Sequence, residues 1–194
     1  LPKIGWVKAK IHRPITSIKT VTVSMEADEF YASILTEFED IKPANNGQVV
    51  GIDMGVVQFA TLSNGEVIKP ISFKRELKRL EVLQKQLSRK VHSRFKGDTT
   101  PQSNNFKKQK LKVQKQWLKI ANKRKDFLHK TTTSLSQYRE IYVEDLKIKN
   151  MSSSAKGDIE NPGKNVKQKS GLNKSILQQS WGMFFEMLGY KLAQ

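Results

Sequence analysis

Residues 47–55 read Gly47-Gln48-Val49-Val50-Gly51-Ile52-Asp53-Met54-Gly55, and this stretch decides the fold. Val49, Val50, Ile52 and Met54 leave almost no polar alternation, which predicts a strand covered on both faces. Asp53 interrupts that run near its end. A buried carboxylate is costly unless it is paired or binds a cation. Gly51 and Gly55 flank it and admit close approach of backbone or ligand. By itself the stretch fits a satisfied core aspartate beside a turn as well as a functional one. The rest of the chain separates the two.

Downstream, Val56–Leu62 predicts a second strand and Glu66–Lys69 a third, which Pro70 ends. Ser63-Asn64-Gly65 between them reads as a hairpin turn, because Asn-Gly tolerates positive φ at both positions. Residues 139–146 predict a fourth strand, Ile141-Tyr142-Val143-Glu144-Asp145-Leu146, again apolar and ending in acid.

Between these strands the period changes. Phe73, Leu77, Leu80, Leu83, Leu87 and Val91 mark one face of a long helix. Residues 93–105 read as a loop, and a second helix is expected from about Asn105 to Gln137. Leu111, Leu118, Ala121, Leu128 and Leu135 fall on its heptad line, widened by Phe106, Trp117, Ile120 and Phe127. The aromatic-rich stripe is most simply core, with a nucleobase-stacking role for Trp117 as the lesser alternative. The two helices form a hairpin over 72–137. Between residues 71 and 130 there are 19 Lys or Arg against 4 Asp or Glu, which is +15 of the chain's net +17. A solvated face mixes signs for i,i+4 pairing, so one-signed loading points to phosphate contact. Lys78, Arg79, Lys85, Arg89, Lys123 and Arg124 are the candidate phosphate contacts. Asp126 and His129 share a helix face, but no further ligand lies near them in sequence, so a structural or phosphate hydrogen bond is the expected role.

Residues 147–174 are rich in Ser, Gly, Lys and Asn and read as a flexible loop. From Ser175 an amphipathic helix is expected, with Asn173 or Ser175 as its cap. At the other end, residues 1–40 read as a small β unit. Residues 4–12 alternate, Ile18–Val23 and Phe30–Leu35 follow, and Met25-Glu26-Ala27-Asp28 connects them. Residues 41–47 form a linker, so the expected domains are 1–46 and 47–194.

The 194 residues contain no cysteine, which excludes a disulfide framework or thiolate metal site within them. No run approaches 18 apolar residues, so no membrane span or membrane partner is expected. The chain opens at Leu1 rather than Met and is expected to be a piece of a longer protein in a cytoplasmic, nucleoid-associated setting. If the strands bearing Asp53 and Glu144 are neighbours, their carboxylates converge at one sheet edge and suit a hard divalent cation. Two such cations can drive phosphodiester hydrolysis. The competing reading makes Glu144 or Asp145 a surface acid.

Four motifs in order, Gly51-Ile52-Asp53-Met54-Gly55, Ile120-Ala-Asn-Lys-Arg-Lys-Asp-Phe-Leu-His-Lys130, Val143-Glu144-Asp145-Leu146 and Gln179-Ser-Trp-Gly-Met-Phe-Phe-Glu-Met-Leu188, resemble the TnpB, OrfB-type insertion-sequence transposase family. Leu1-Pro-Lys-Ile-Gly-Trp-Val-Lys8 and Val21-Thr-Val-Ser24 resemble the stretch that precedes the nuclease domain there. The resemblance implies an α/β, ribonuclease-H-like (RuvC) core with the basic hairpin inserted, preceded by a β segment of a wedge-like barrel. It implies an RNA-guided DNA endonuclease related to type V CRISPR effectors. Its partners would be DNA and a guide RNA, with Asp53 and Glu144 as catalytic ligands of Mg²⁺ or Mn²⁺. The family's third carboxylate and its zinc ribbon have no match and are expected beyond Gln194, so this chain alone is expected to be inactive. Two alternatives remain: a nucleic-acid-binding remnant without catalysis, and an actin-type ATPase. In the latter, small hydroxyl residues would stand where this chain has Val56-Val57-Gln58.

Overall fold

The computed structural model describes residues 5–11, 14–37, 45–91 and 100–193. The chain divides into two compact units, Leu1–Ile41 and Lys42–Gln194. In the first, β1 (Ser17–Glu26) pairs antiparallel with β2 (Glu29–Glu37). Ala27 and Asp28 turn the chain at φ 48° and 72°, the two-residue geometry that matches the twist of paired strands. The alternation at the N-terminus forms no strand in the described residues 5–11; residues 1–4 and 12–13 lie outside the description. Ile18, Val21, Val23, Met25, Phe30 and Leu35 are exposed on this hairpin. The linker expected at 41–47 is described only from Asn45 onward. There the Asn46 N–H donates to the Gln137 carbonyl (2.7 Å) and the Arg139 N–H to that of Gln48 (2.8 Å), so the chain is already tied to the second unit.

The second unit is a mixed α/β structure built on β3 (Val49–Met54), β4 (Ala60–Leu62), β5 (Val67–Ile68) and β6 (Glu140–Val143). The sheet order is β5-β4-β3-β6. The first three strands are antiparallel in sequence, and β6 lies parallel to β3, with Ile52 opposite Val143. β3 is covered on one face only. Val50, Ile52 and Met54 are buried, whereas Val49 and Asp53 are exposed. The expected two-sided burial fails because glycine stands at 51 and an acid at 53, so only one side of the strand has apolar bulk to bury.

The predicted strand at 56–62 is cut to three residues. The Gly55 N–H donates to the Phe59 carbonyl at 3.2 Å, closing a turn over 55–59. A Cβ at Gly55 would stand 2.8 Å from the Gln58 carbonyl oxygen, so this turn requires glycine. It delivers Phe59, fully buried, edge-on to Phe127 and Phe184 at centroid distances of 5.0 and 5.3 Å. The 63–65 turn is also different from expectation: Gly65 alone takes positive φ (+88°), and Asn64 instead accepts the Glu66 N–H through Oδ1. The core is completed by Leu128 and Leu135 of α2 (Asn104–Leu135) and by Trp181, Phe184 and Leu188 of α5 (Trp181–Leu192).

α1 (Lys74–Ser88) packs against the N-terminal half of α2. Ser103 caps α2, its Oγ accepting the Phe106 N–H at 3.2 Å. Of the loop expected before α2, residues 92–99 lie outside the description. The expected heptad line is displaced. The buried seam of α2 against α1 is Gln109, Val113, Gln116 and Ile120, while Leu111 and Leu118 are half-buried and Trp117 is 49% exposed. Trp117 is therefore not core. Polar residues seven apart fix the pairing. Gln109 Nε2 donates to the Leu83 carbonyl (3.1 Å), Gln116 Nε2 to that of Glu76 (3.0 Å), and Lys123 Nζ to that of Ser72 and to Glu76 Oε1 (both 3.0 Å). Amide side chains bonded to a partner's backbone hold one register where Leu alone would tolerate several.

The flexible loop expected at 147–174 is shorter. It contains α3 (Ile148–Met151), and α4 (Val166–Gln179) begins well before Ser175. α4 escapes an apolar count because only Ile176 is buried on it. Asn173 is not a cap; its Nδ2 donates to the Ser152 and Ser153 carbonyls, each at 2.9 Å, and Ser175 Oγ donates to the Gly171 carbonyl. The single helix expected onward breaks at Ser180, which takes φ 58°. No described helix is long and apolar enough to cross a membrane.

Candidate nucleic-acid and metal site

β3 and β6 run side by side, so the residues that follow their last register pair, Asp53 and Glu144, stand at the same carboxyl edge. Neighbouring strands lie about 4.8 Å apart. Both acids line one open cleft of about 450 Å³, together with Gly51, Ile52, Thr61, Leu62, Ser63, Tyr142 and Val143. Asp53 is exposed, not buried, because it projects to the open face of the sheet. Glu144 is exposed as well. Among the described residues neither side chain takes part in an ion pair or hydrogen bond. The neighbouring acid is occupied: Asp145 pairs with Lys147. Like charges placed side by side in a sheet repel. Carboxylate oxygens accept only, so a hard cation between them relieves that repulsion. No cluster of three His, Cys, Asp or Glu that could hold a metal occurs among the described residues.

Two rows cross the open face. Thr61 pairs with Asp53 across β3 and β4, and its Oγ1 donates to Gln58 Oε1 at 3.0 Å. Tyr142 pairs with Gly51, whose N–H donates to Ser63 Oγ at 3.0 Å. No motif in the sequence singles out Tyr142, Thr61 or Ser63. The alternation of Glu140, Tyr142 and Glu144 was the available signal for the first, since residues two apart share a face.

The candidate phosphate contacts fall into two groups. Lys78, Arg79 and Arg89 are exposed. Lys85 is exposed too but pairs with Glu81 at 2.6 Å in an i,i+4 bridge, which holds the Glu81 carboxyl below its ordinary range. Lys123 and Arg124 are different. Lys123 is spent on Ser72 and Glu76, and its donation holds Glu76 below the ordinary carboxylate range. Arg124 lies over the Phe73 ring, 5.3 Å from its centroid, with its Nε buried. Both close the hairpin, as cations on an aromatic face can. Asp126 pairs with Lys130 at 2.8 Å, and the His129 carbonyl accepts from Lys191 Nζ, so the Asp126–His129 pair serves structure.

The OrfB/IS605 family, described as "Probable transposase", matches residues 33–155. The chain is 47% identical over 195 residues to "Putative RNA-guided DNA endonuclease InsQ" of Escherichia coli (strain K12), covering 98% of this chain and 46% of that protein. It is 34% identical over 178 residues to "Putative RNA-guided DNA endonuclease" of Streptomyces pristinaespiralis, covering 90% and 38%. The chain thus belongs to the OrfB/IS605 transposase family, the TnpB group. It spans less than half the length of these relatives.

Proposed function

We propose that this chain carries the catalytic sheet edge and phosphate-binding hairpin of an RNA-guided, metal-dependent DNA endonuclease acting in transposition. The observation that carries this reading is the parallel pairing of β3 and β6, which sets two carboxylates, unpaired among the described residues, together beside an open cleft. The sheet order, three antiparallel strands with the fourth parallel to the first, supports a ribonuclease-H-like (RuvC) core. The β1–β2 hairpin supports a place in a wedge-like barrel. The relatives' names supply DNA and guide RNA as partners.

Asp53 and Glu144 would hold Mg²⁺ or Mn²⁺ through their oxygens. When bound, the cation supplies an activated water and charge stabilisation at the leaving oxygen. Lys78, Arg79 and Arg89 would hold the sugar-phosphate backbone without reading sequence. Two carboxylates leave the cation incompletely held, so water or a further oxygen ligand would fill its remaining positions.

The test uses a protein of the relatives' full length, supplied with guide RNA. Asp53→Ala is expected to abolish Mg²⁺-dependent cutting while nucleic-acid binding stays within about twofold, since phosphate contacts reside on the hairpin. Cutting that persists in Asp53→Ala removes Asp53 from the mechanism. Binding without cutting by the unaltered protein would favour a non-catalytic remnant.

A further inference from the structure

Tyr142 has no place in the chemistry above. It lies within β6, where burial of an aromatic ring is the usual return, yet it is 65% exposed. Its partner across the sheet is Gly51, so no side chain leans over the ring from β3. Packing does not impose that glycine: a Cβ there would meet nothing nearer than Ser63 Cβ at 3.7 Å. The ring is nevertheless held. Its hydroxyl donates to Glu140 Oε2 at 3.3 Å, and Arg139 Nε donates to Glu140 Oε1 at 3.1 Å. The tether fixes the outer end of the ring and leaves its face free. Tyr142 lines the same cleft as Asp53 and Glu144, two residues before Glu144 on one face of the strand, about 6.6 Å away along it.

We propose that Tyr142 is a positioning residue: its ring stacks against the base of a nucleotide whose phosphate lies at the Asp53–Glu144 edge, where a divalent cation would screen it from the two carboxylates. This rests on the nuclease reading above. Every base presents a π-face, so such a platform accepts any sequence but requires an unpaired base. The row Tyr142, Gly51, Ser63 is then a shelf for the base, and the row Glu144, Asp53, Thr61 serves the phosphate.

The test is binding of the full-length protein used above, loaded with guide RNA, to a fluorescein-labelled short oligothymidylate in Ca²⁺, followed by anisotropy. Tyr142→Ala is expected to weaken binding by about 5- to 150-fold, the range given by one base on one ring. Tyr142→Phe should bind as the unaltered protein does; a loss equal to that of Tyr142→Ala overturns stacking. An abasic residue walked along the oligonucleotide should, at one position, weaken binding to the unaltered protein by the same factor and leave Tyr142→Ala unaffected. Equal abasic losses in both proteins overturn the proposal and leave the nuclease reading standing. Should Tyr142→Ala lose its far-ultraviolet circular dichroism, Tyr142→Trp decides: equal or tighter binding supports stacking, and weaker binding refutes it. Persistent cutting by Asp53→Ala, by contrast, defeats the nuclease reading and not the abasic result.

Discussion

Phe59 is the side chain on which the β3-centred sheet and two helices meet, and its removal has a calculable effect. The ring is fully buried and stands edge-on to Phe127 of α2 and Phe184 of α5, 5.0 and 5.3 Å from their centroids. Burying a phenylalanine is worth about 1.5–3 kcal/mol in transfer alone. The cavity left behind raises the loss to about 3–5 kcal/mol in Phe59→Ala. Total stability of a domain is about 5–15 kcal/mol, so the variant retains a folded state with little reserve. With a urea slope of about 2 kcal/mol per molar, the midpoint should fall by about 2 M. Urea unfolding followed by tryptophan fluorescence reads this directly, because Trp181 belongs to the same core cluster. A double-mutant cycle with Phe184→Leu should return about 0.5–1.5 kcal/mol of coupling, the contribution of edge-to-face geometry beyond area. A loss under about 1.5 kcal/mol with no coupling would refute the packing argument and show that the β3–β4 turn repacks freely.

Two further outcomes concern the hairpin. Replacing Lys78, Arg79 and Arg89 by Gln should lower the slope of log affinity against log salt by about 0.7–0.9 for each phosphate contact removed, whereas Lys123→Gln should leave that slope unchanged and destabilise α1–α2; equal slopes in all variants would remove α1 from the binding face. Glu76 is held below its ordinary range by Lys123, so its contribution to stability is fully present above the unfolded carboxylate value near 4.5 and is lost as pH falls through the lower folded value; the protection factors of α1 amides, taken relative to intrinsic exchange at each pH, should fall below about pH 4.5, and Lys123→Met should abolish that acid-dependent part.

Much of the sheet was legible from residues alone. Alternation and apolar runs located β3, β6 and the β4–β5 return, and the acids at 53 and 144 marked the edge where the strands end. What escaped was decided by tertiary neighbours. Val49 and Val50 look alike in sequence, but only Val50 faces the helices. The α2 seam hides because Gln109 and Gln116 sit where a pattern reader expects leucine; their amides earn burial by bonding to α1 carbonyls, a satisfaction that sequence does not display. α4 was missed since one buried residue, Ile176, leaves no stripe to find. At the candidate site, the apolar run places Asp53 near the end of β3 but does not report its exposure: an acid at the end of an apolar run signals an edge as readily as an interior.

α2 is a single rod of 32 residues, about 48 Å long, whose far half grips α1 and whose near half, through Leu128 and Leu135, lies under the sheet. Such a rod behaves as a lever with its fulcrum beneath β3. A tilt of a few degrees carries the distant, lysine-covered end through several ångströms while the ground under Asp53 hardly shifts. Displacement of the α1-bearing end can therefore leave the sheet edge at Asp53 nearly in place.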